Sequence, residues 1–205
     1  MTGELLVRAL GADVPAGTDH ILDAALELAA ASGLRHLTME DVARRAGIGR
    51  MTVYRRFGTR EALLDALAGR EVRRCLAELD AAAPVDAPLE EQVVAGFTTA
   101  MRLIREHPLL DRLARVEPGF VLSTLAADDG TILKLCSAFL AGRLRESQRS
   151  GVVGAAVDVE ETAELIVRVA FSFVLIPATA LPLEDPELAR RLFAPLLQDG
   201  TRAAA

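Results

Sequence analysis

Apolar residues recur at helical spacing along most of the chain, and the breaks fall at glycine, proline and capping residues. The set Ile21, Leu22, Ala25, Leu28 and Ala29 forms one such stripe, with Thr18 or Asp19 available as its cap and Gly33 as its stop. Thr38, followed three residues later by Asp41, has the form of a capping box and opens a short second helix that ends at Gly47. A third helix is predicted from about Gly49 to Phe57. Thr59 caps a long fourth helix that carries Leu63, Leu64, Leu67, Val72 and Leu76 towards Leu79, with Glu61 in its first turn, where the helix dipole favours a negative charge. Beyond residue 88 the pattern predicts helices at about 89–106, 109–116, 120–127, 130–149, 159–176 and 185–198, several of them stopped by Pro108, Gly151 or Pro177. No strand pattern and no internal repeat emerges, so the expected fold is all-α.

The segment Ala81 to Pro88, with prolines at 84 and 88, is the clearest boundary. It predicts a turn-rich N-terminal arm at 1–17, a first domain at 18–80 that includes the connecting helix, and a second, larger helical domain at 81–205. Charge follows the same division. Between Arg35 and Arg60 seven arginines face only Glu40 and Asp41, although the whole chain has a net charge of −6. A local basic face can hold phosphates on an acidic protein because screening confines the interaction to about 10 Å.

The basic tract has a specific shape. On a helical wheel Val53 and Phe57 fall on the side that must pack inward, against Val42, Ala43, Ala46 and the first helix. Met51 and Arg55 point away, Thr52 and Tyr54 flank that outer face, and Arg50 and Arg56 lie nearer its edges. Such a face suits the DNA major groove, where guanidinium groups pair with guanine O6 and N7 and Met51 can meet a thymine methyl. Hydroxyls of Thr52 and Tyr54 suit phosphate oxygens at the rims, which fixes register. The capped N-terminus of the second helix offers backbone N–H groups to a further phosphate. Two helices around Gly47-Ile48-Gly49 therefore read as a helix-turn-helix unit.

At residues 20–67 the chain resembles the N-terminal domain of tetracycline-repressor-type (TetR family) transcriptional regulators. The resemblance is carried by Thr38-Met39-Glu40-Asp41-Val42-Ala43, Ala46-Gly47-Ile48-Gly49, Thr52-Val53-Tyr54-Arg55-Arg56-Phe57 and Thr59-Arg60-Glu61-Ala62-Leu63. It implies that Tyr54 and Thr38 contact phosphate and that Arg50, Met51 and Thr52 reach bases or the adjacent backbone. Arg60 stands where the family usually has a lysine, and it keeps the charge while changing the geometry. The expected DNA-binding set is thus Thr38, Arg50, Met51, Thr52, Tyr54, Arg55, Arg56 and Arg60.

For the second domain the resemblance implies an effector pocket between helices and a dimer interface. Candidate pocket residues are Phe97, Met101, Ile104, Leu113, Phe120, Leu133, Cys136, Phe139, Leu140 and Phe173, which suit a small, mostly apolar ligand. Each of them also fits ordinary core packing. Arg102, Arg105, Arg112, Arg115 and Arg143 can steer an anionic head group or form surface ion pairs. Leu165, Ile166, Val169, Ala170, Phe173 and Val174 give one broad apolar face, and Leu188, Leu192, Leu196 and Leu197 give another. In the family the last two helices pack against a symmetry mate, which implies a homodimer on a palindromic operator; burial within one chain is the other use of these faces.

Composition excludes several classes. With 51% hydrophobic residues the chain can bury a core. Cys75 and Cys136 are far apart and His20, His36 and His107 are scattered, so neither a disulfide nor a metal site is expected. No catalytic constellation is recognisable, and no cofactor is expected. The most apolar stretch, Leu165 to Leu175, is short and interrupted by Arg168 and Ser172, and no signal peptide opens the chain, so a cytoplasmic protein is expected. The sequence reading is a ligand-responsive DNA-binding repressor, with an effector-independent or activating regulator as the alternative.

Overall fold

The computed structural model describes residues 14–84, 86–117, 119, 121–122, 130–176 and 180–198, without the side chains of 194–198. Among these residues the fold is all-helical. In chain order the helices are α1 (Asp19–Ser32), α2 (Met39–Arg45), α3 (Arg50–Phe57), α4 (Arg60–Ala82), α5 (Leu89–Glu106), α6 (Pro108–Val116), α7 (Thr131–Arg149), α8 (Val159–Leu175) and α9 (Pro186–Gln198), with a single 3-10 turn at Leu34–His36. The helix expected at 120–127 lies mostly outside the described residues.

Local chemistry accounts for the helix starts. Thr38 Oγ1 accepts from the Asp41 N–H at 3.1 Å, the forward half of the capping box at α2, while the Asp41 carboxylate accepts at 2.6 Å from the Thr38 hydroxyl and not from its backbone N–H. Thr59 Oγ1 accepts from the Ala62 N–H at the start of α4, and Asp158 caps α8 through the Glu161 N–H. Thr18 behaves differently from the sequence expectation. It is fully buried, and its hydroxyl donates to the Pro15 carbonyl at 2.6 Å instead of capping α1. Between α2 and α3 the chain turns at Gly47, whose φ of +68° is the left-handed conformation that side chains resist.

The described residues form two compact units whose division differs from a single break at 81–88. The first gathers residues through Arg74 together with those of 106–129; the second gathers 75–105 with those from 130 onward. Helix α6 belongs to the first unit because Leu109 and Leu113, four residues apart on one face, are buried with Ile21, Leu22, Val42, Val53, Leu63 and Leu67. His107 caps α6 by accepting from the Leu110 N–H, and Pro108 takes the first-turn position where its missing N–H costs nothing.

In the second unit α5, α8 and α9 bury Val93, Val94, Phe97, Met101, Ile166, Ala189 and Phe193. Phe97 meets Phe193 and Phe173 edge-on, with ring centroids 5.0 and 6.1 Å apart. A smaller cluster of Ala141, Leu144, Val159 and Ala163 joins α7 to α8. Its polar neighbour is a buried pair, Gln92 and Ser147, which exchange hydrogen bonds at 2.8 and 3.0 Å. No helix among the described residues is long and apolar enough to cross a membrane.

Candidate nucleic-acid interface and internal cavity

Helix α3 is anchored by Val53 and Phe57, both buried in the first core. That anchoring turns Met51, 77% exposed, away from the protein, with Arg55 and Arg56 also exposed. Thr52 and Tyr54 are half-buried at the flanks, and Tyr54 packs partly against the core. The Arg50 guanidinium lies over the Tyr54 ring, 5.2 Å from its centroid, and its Nε is 2.8 Å from Glu40 Oε1. Arg50 is thus held at the junction of α2 and α3 by a carboxylate and an aromatic face. The Thr38 side chain is exposed at the N-terminus of α2.

The positive charges of this unit divide into compensated and uncompensated groups. Arg44 pairs with Asp41 and Arg45 with Glu27. Arg56 reaches only the Ala16 carbonyl, at 3.4 Å, and among the described residues Arg35 and Arg55 form no ion pair. Uncompensated guanidinium groups therefore stand on α3 and the 3-10 turn, where they can meet an anion, and Arg73 on α4 is likewise exposed and without an ion pair among the described residues.

Arg60 points another way. Its Nε donates to the Leu37 carbonyl at 2.7 Å and its Nη2 to the Leu34 carbonyl at 2.6 Å, with Arg35 O at 3.4 Å. The guanidinium ties the start of α4 to the segment leading into α2. Its Nε and Nη2 are thus engaged by the protein's own backbone, while Nη1 lies 3.9 Å from Glu61 Oε1. Only the planar fork of arginine satisfies two carbonyls at once in this way, and this is the physical content of its replacing a lysine. Sequence reasoning missed this role because the carbonyls lie more than twenty residues away. It missed Glu40 as the partner of Arg50 for a similar reason.

The second unit contains a cavity of about 220 Å³. Helix α4 contributes Leu76 and Leu79 to its wall, and α5 contributes Gly96, Phe97, Met101 and Ile104. Cys136, Phe139, Leu140 and Arg143 come from α7, and Ile166, Ala170, Phe171 and Val174 from α8. Six of the ten candidate pocket residues are thereby brought together: Phe97, Met101, Ile104, Cys136, Phe139 and Leu140. Leu113 is instead buried in the first unit's core. Leu133 is half-buried on α7 and does not line the cavity. Phe173 packs on Phe97 within the core, and its neighbour Phe171 takes the wall position. Phe120 lies outside the described residues.

Burial in this apolar wall pushes the Cys136 thiol up to about 11. Of the five arginines considered for an anionic head group, Arg143 alone lines the cavity. Arg102 pairs with Glu78, Arg105 with Glu184 and Arg115 with Asp111, while Arg112 donates to the Ala31 carbonyl. Arg143 pairs with Asp80 and donates to the Ala83 carbonyl, and its burial lowers its pKa from the ordinary arginine value. Among the described residues no cluster of His, Cys, Asp and Glu is arranged to hold a metal ion.

Comparison with known proteins agrees with this arrangement. Residues 21–67 match the sequence profile of the family described as "Bacterial regulatory proteins, tetR family". An uncharacterised HTH-type transcriptional regulator of Mycobacterium tuberculosis is 29% identical over 159 residues, covering 78% of this chain and 75% of the relative. Among solved structures, the TetR family repressor AlkX of a Dietzia strain, implicated in n-alkane biodegradation, is 25% identical with a TM-score of 0.58, covering 91% of this chain and 98% of that one. The regulator FadR of Bacillus subtilis, solved with stearoyl-CoA, shares the fold at 20% identity with a TM-score of 0.63, covering 87% and 97%.

Proposed function

We propose that the chain, whose residues 21–67 match the TetR family of bacterial regulatory proteins, is a homodimeric repressor released from a palindromic operator by a small, mostly apolar ligand. As a helix-turn-helix DNA-binding regulator it acts by occupancy of DNA and not by catalysis. The observation that carries the finer reading is the division of α3. Val53 and Phe57 lock one side into the core, while Met51, Arg55 and Arg56 are exposed away from it. Arg50 and Met51 read bases, with Arg55 beside them. Thr52, Tyr54 and the N-terminus of α2 at Thr38 clamp phosphates.

Two such heads must be spaced by a dimer to meet two half-sites. Leu165, 39% exposed on α8, is an apolar position that a second copy would cover, and Ile176, 69% exposed, follows immediately after the end of that helix. Leu188 turns into its own core, so the partner-facing surface of α9 lies elsewhere on that helix. A ligand in the α5–α7–α8 cavity weakens DNA binding if it prefers the conformation whose heads miss the operator spacing. This reading requires a cytoplasmic protein, in the compartment of the chromosome.

Gel-shift titration against DNA flanking the protein's own gene tests the proposal. A discrete, salt-sensitive complex weakened by Arg50→Ala and by Tyr54→Phe is the expected result. Unchanged affinity in both variants would overturn the assignment of the reading face. A complex indifferent to apolar ligands would favour an effector-independent regulator.

A further inference from the structure

The cavity wall is aliphatic and aromatic except at Gln92, Arg143 and the thiol of Cys136. Gln92 is occupied: its Nε2 donates to the Ala87 carbonyl at 2.7 Å and to Ser147 at 2.8 Å, and its Oε1 accepts from Ser147. Arg143 is the one charged group of the lining. The Arg143–Asp80 pair is markedly asymmetric. The Arg143 side chain is 13% exposed and borders the cavity, whereas that of Asp80 is 64% exposed. The Asp80 carboxylate, already largely in water, loses little on leaving the pair, because solvent takes over its hydrogen bonds. A guanidinium facing an apolar void gains more from an anion delivered inside that void, where charge-assisted bonds are strong and often bidentate.

We propose that the cavity binds an amphiphilic anion, an apolar chain or ring ending in a carboxylate, whose head pairs with Arg143 and displaces Asp80. The inference rests on the effector reading above and names the chemical class of the effector. A cavity of about 220 Å³ accommodates an apolar body of roughly ten carbon atoms, judged against the ~150 Å³ cavity that holds benzene. The exchange also has a mechanical consequence. Asp80 stands in the last turn of α4 and Ala83 immediately follows that helix, so Arg143 holds the C-terminal end of the helix that begins at Arg60. Moving the guanidinium onto a ligand frees that end.

Isothermal titration of the full chain with decanoate and with 1-decanol decides the matter. Decanoate binds the wild-type protein more tightly by about tenfold or more, the size expected of one added charge-assisted hydrogen bond. Arg143→Met abolishes that preference while leaving decanol binding intact, and Asp80→Asn tightens decanoate alone. Gly96→Leu blocks both ligands, because Gly96 lines the cavity and a Cβ there meets no atom within 4 Å. Equal binding of acid and alcohol overturns the anionic head while leaving an apolar effector site in place. Failure of both to bind overturns the proposal, and so does decanoate binding that survives Gly96→Leu. If Arg143→Met does not fold, the Asp80→Asn arm decides alone, and unchanged decanoate affinity there sinks the idea. Gel shifts with ligand-free protein report the repressor reading separately.

Discussion

His107 Nε2 lies 3.1 Å from Glu71 Oε2, and the two side chains are almost equally buried. Because the Leu110 N–H donates to Nδ1 of the same ring, the proton of the neutral imidazole sits on Nε2 and is donated to Glu71. The other Glu71 oxygen accepts from Arg70 Nε at 2.7 Å, and Arg70 in turn reaches Asp23 at 2.8 Å and the Asp19 carbonyl at 3.0 Å. One carboxylate thus joins the cap of α6, the buried arginine of α4 and the start of α1.

This network makes stability depend on pH in a defined direction. Burial alone would raise the Glu71 pKa, but the hydrogen bonds from His107 and Arg70 and the charges of Arg70 and Arg74 outweigh it and hold the carboxyl below its ordinary 4.5. A carboxylate lowered in the folded state stabilises above its unfolded pKa and loses that contribution as pH falls through the folded value. Urea midpoints should therefore drop on acidification below about pH 4.5, and Glu71→Gln should remove part of that slope. At pH 7 Glu71→Gln should cost on the order of 2 kcal/mol, as expected for charge-assisted bonds. An unchanged acid limb in the variant would contradict the assignment.

Arg60 acts on stability before it acts on DNA. Arg60→Lys replaces a fork over two carbonyls with a single ammonium, and we expect a loss of about 1–2 kcal/mol. Thermal unfolding followed by circular dichroism measures it. Hydrogen exchange should quicken first in the segment 34–37, where the guanidinium now holds the Leu34, Arg35 and Leu37 carbonyls.

The two faces of α3 should respond oppositely. Arg55→Ala removes an exposed, unpaired charge, so operator affinity should fall by about 1–3 kcal/mol with the melting temperature unchanged. Val53→Ala, at a fully buried site, should lower stability by about 1–3 kcal/mol through lost burial and the cavity left behind. Paired gel-shift and melting measurements separate the two.

Leu165 offers a test of the dimer. Leu165→Arg places a charge on an exposed position of α8, which a monomer tolerates and a covered interface does not. Sedimentation should show a shift towards monomer while the helical signal is kept. An unchanged dimer would move the interface away from Leu165.

Cys136 reports on the cavity. With its pKa pushed up to about 11, the thiol is almost wholly protonated at neutral pH and should alkylate slowly. Iodoacetamide labelling followed by mass spectrometry should speed up with rising pH. It should slow when an apolar ligand fills the cavity.

Much of the first unit was legible in the sequence because its determinants are local. The capping box at Thr38, the turn at Gly47 and the inward pair Val53 and Phe57 all act within a few residues, and the free direction of Met51 and Arg55 follows from helix geometry once that pair is buried. The cavity was half legible. Phe97, Met101 and Ile104 share one face of α5 and need only a void beside it, whereas Leu113 shares nothing but apolarity with them and lies in the first core.

The amino-acid sequence by itself thus determined an all-α chain with a DNA-reading head, since caps, turns and periodicity are set between neighbours along the chain. Only tertiary structure decided that α6 completes the first core, that Arg60 turns onto backbone carbonyls, and that Phe171 faces the cavity while Phe173 packs on Phe97. Residues 171 and 173 are both apolar and point to different sides of α8, so their fates depend on what α5, α7 and α9 place against each side. Packing between distant segments chose among faces that hydrophobicity had left equivalent.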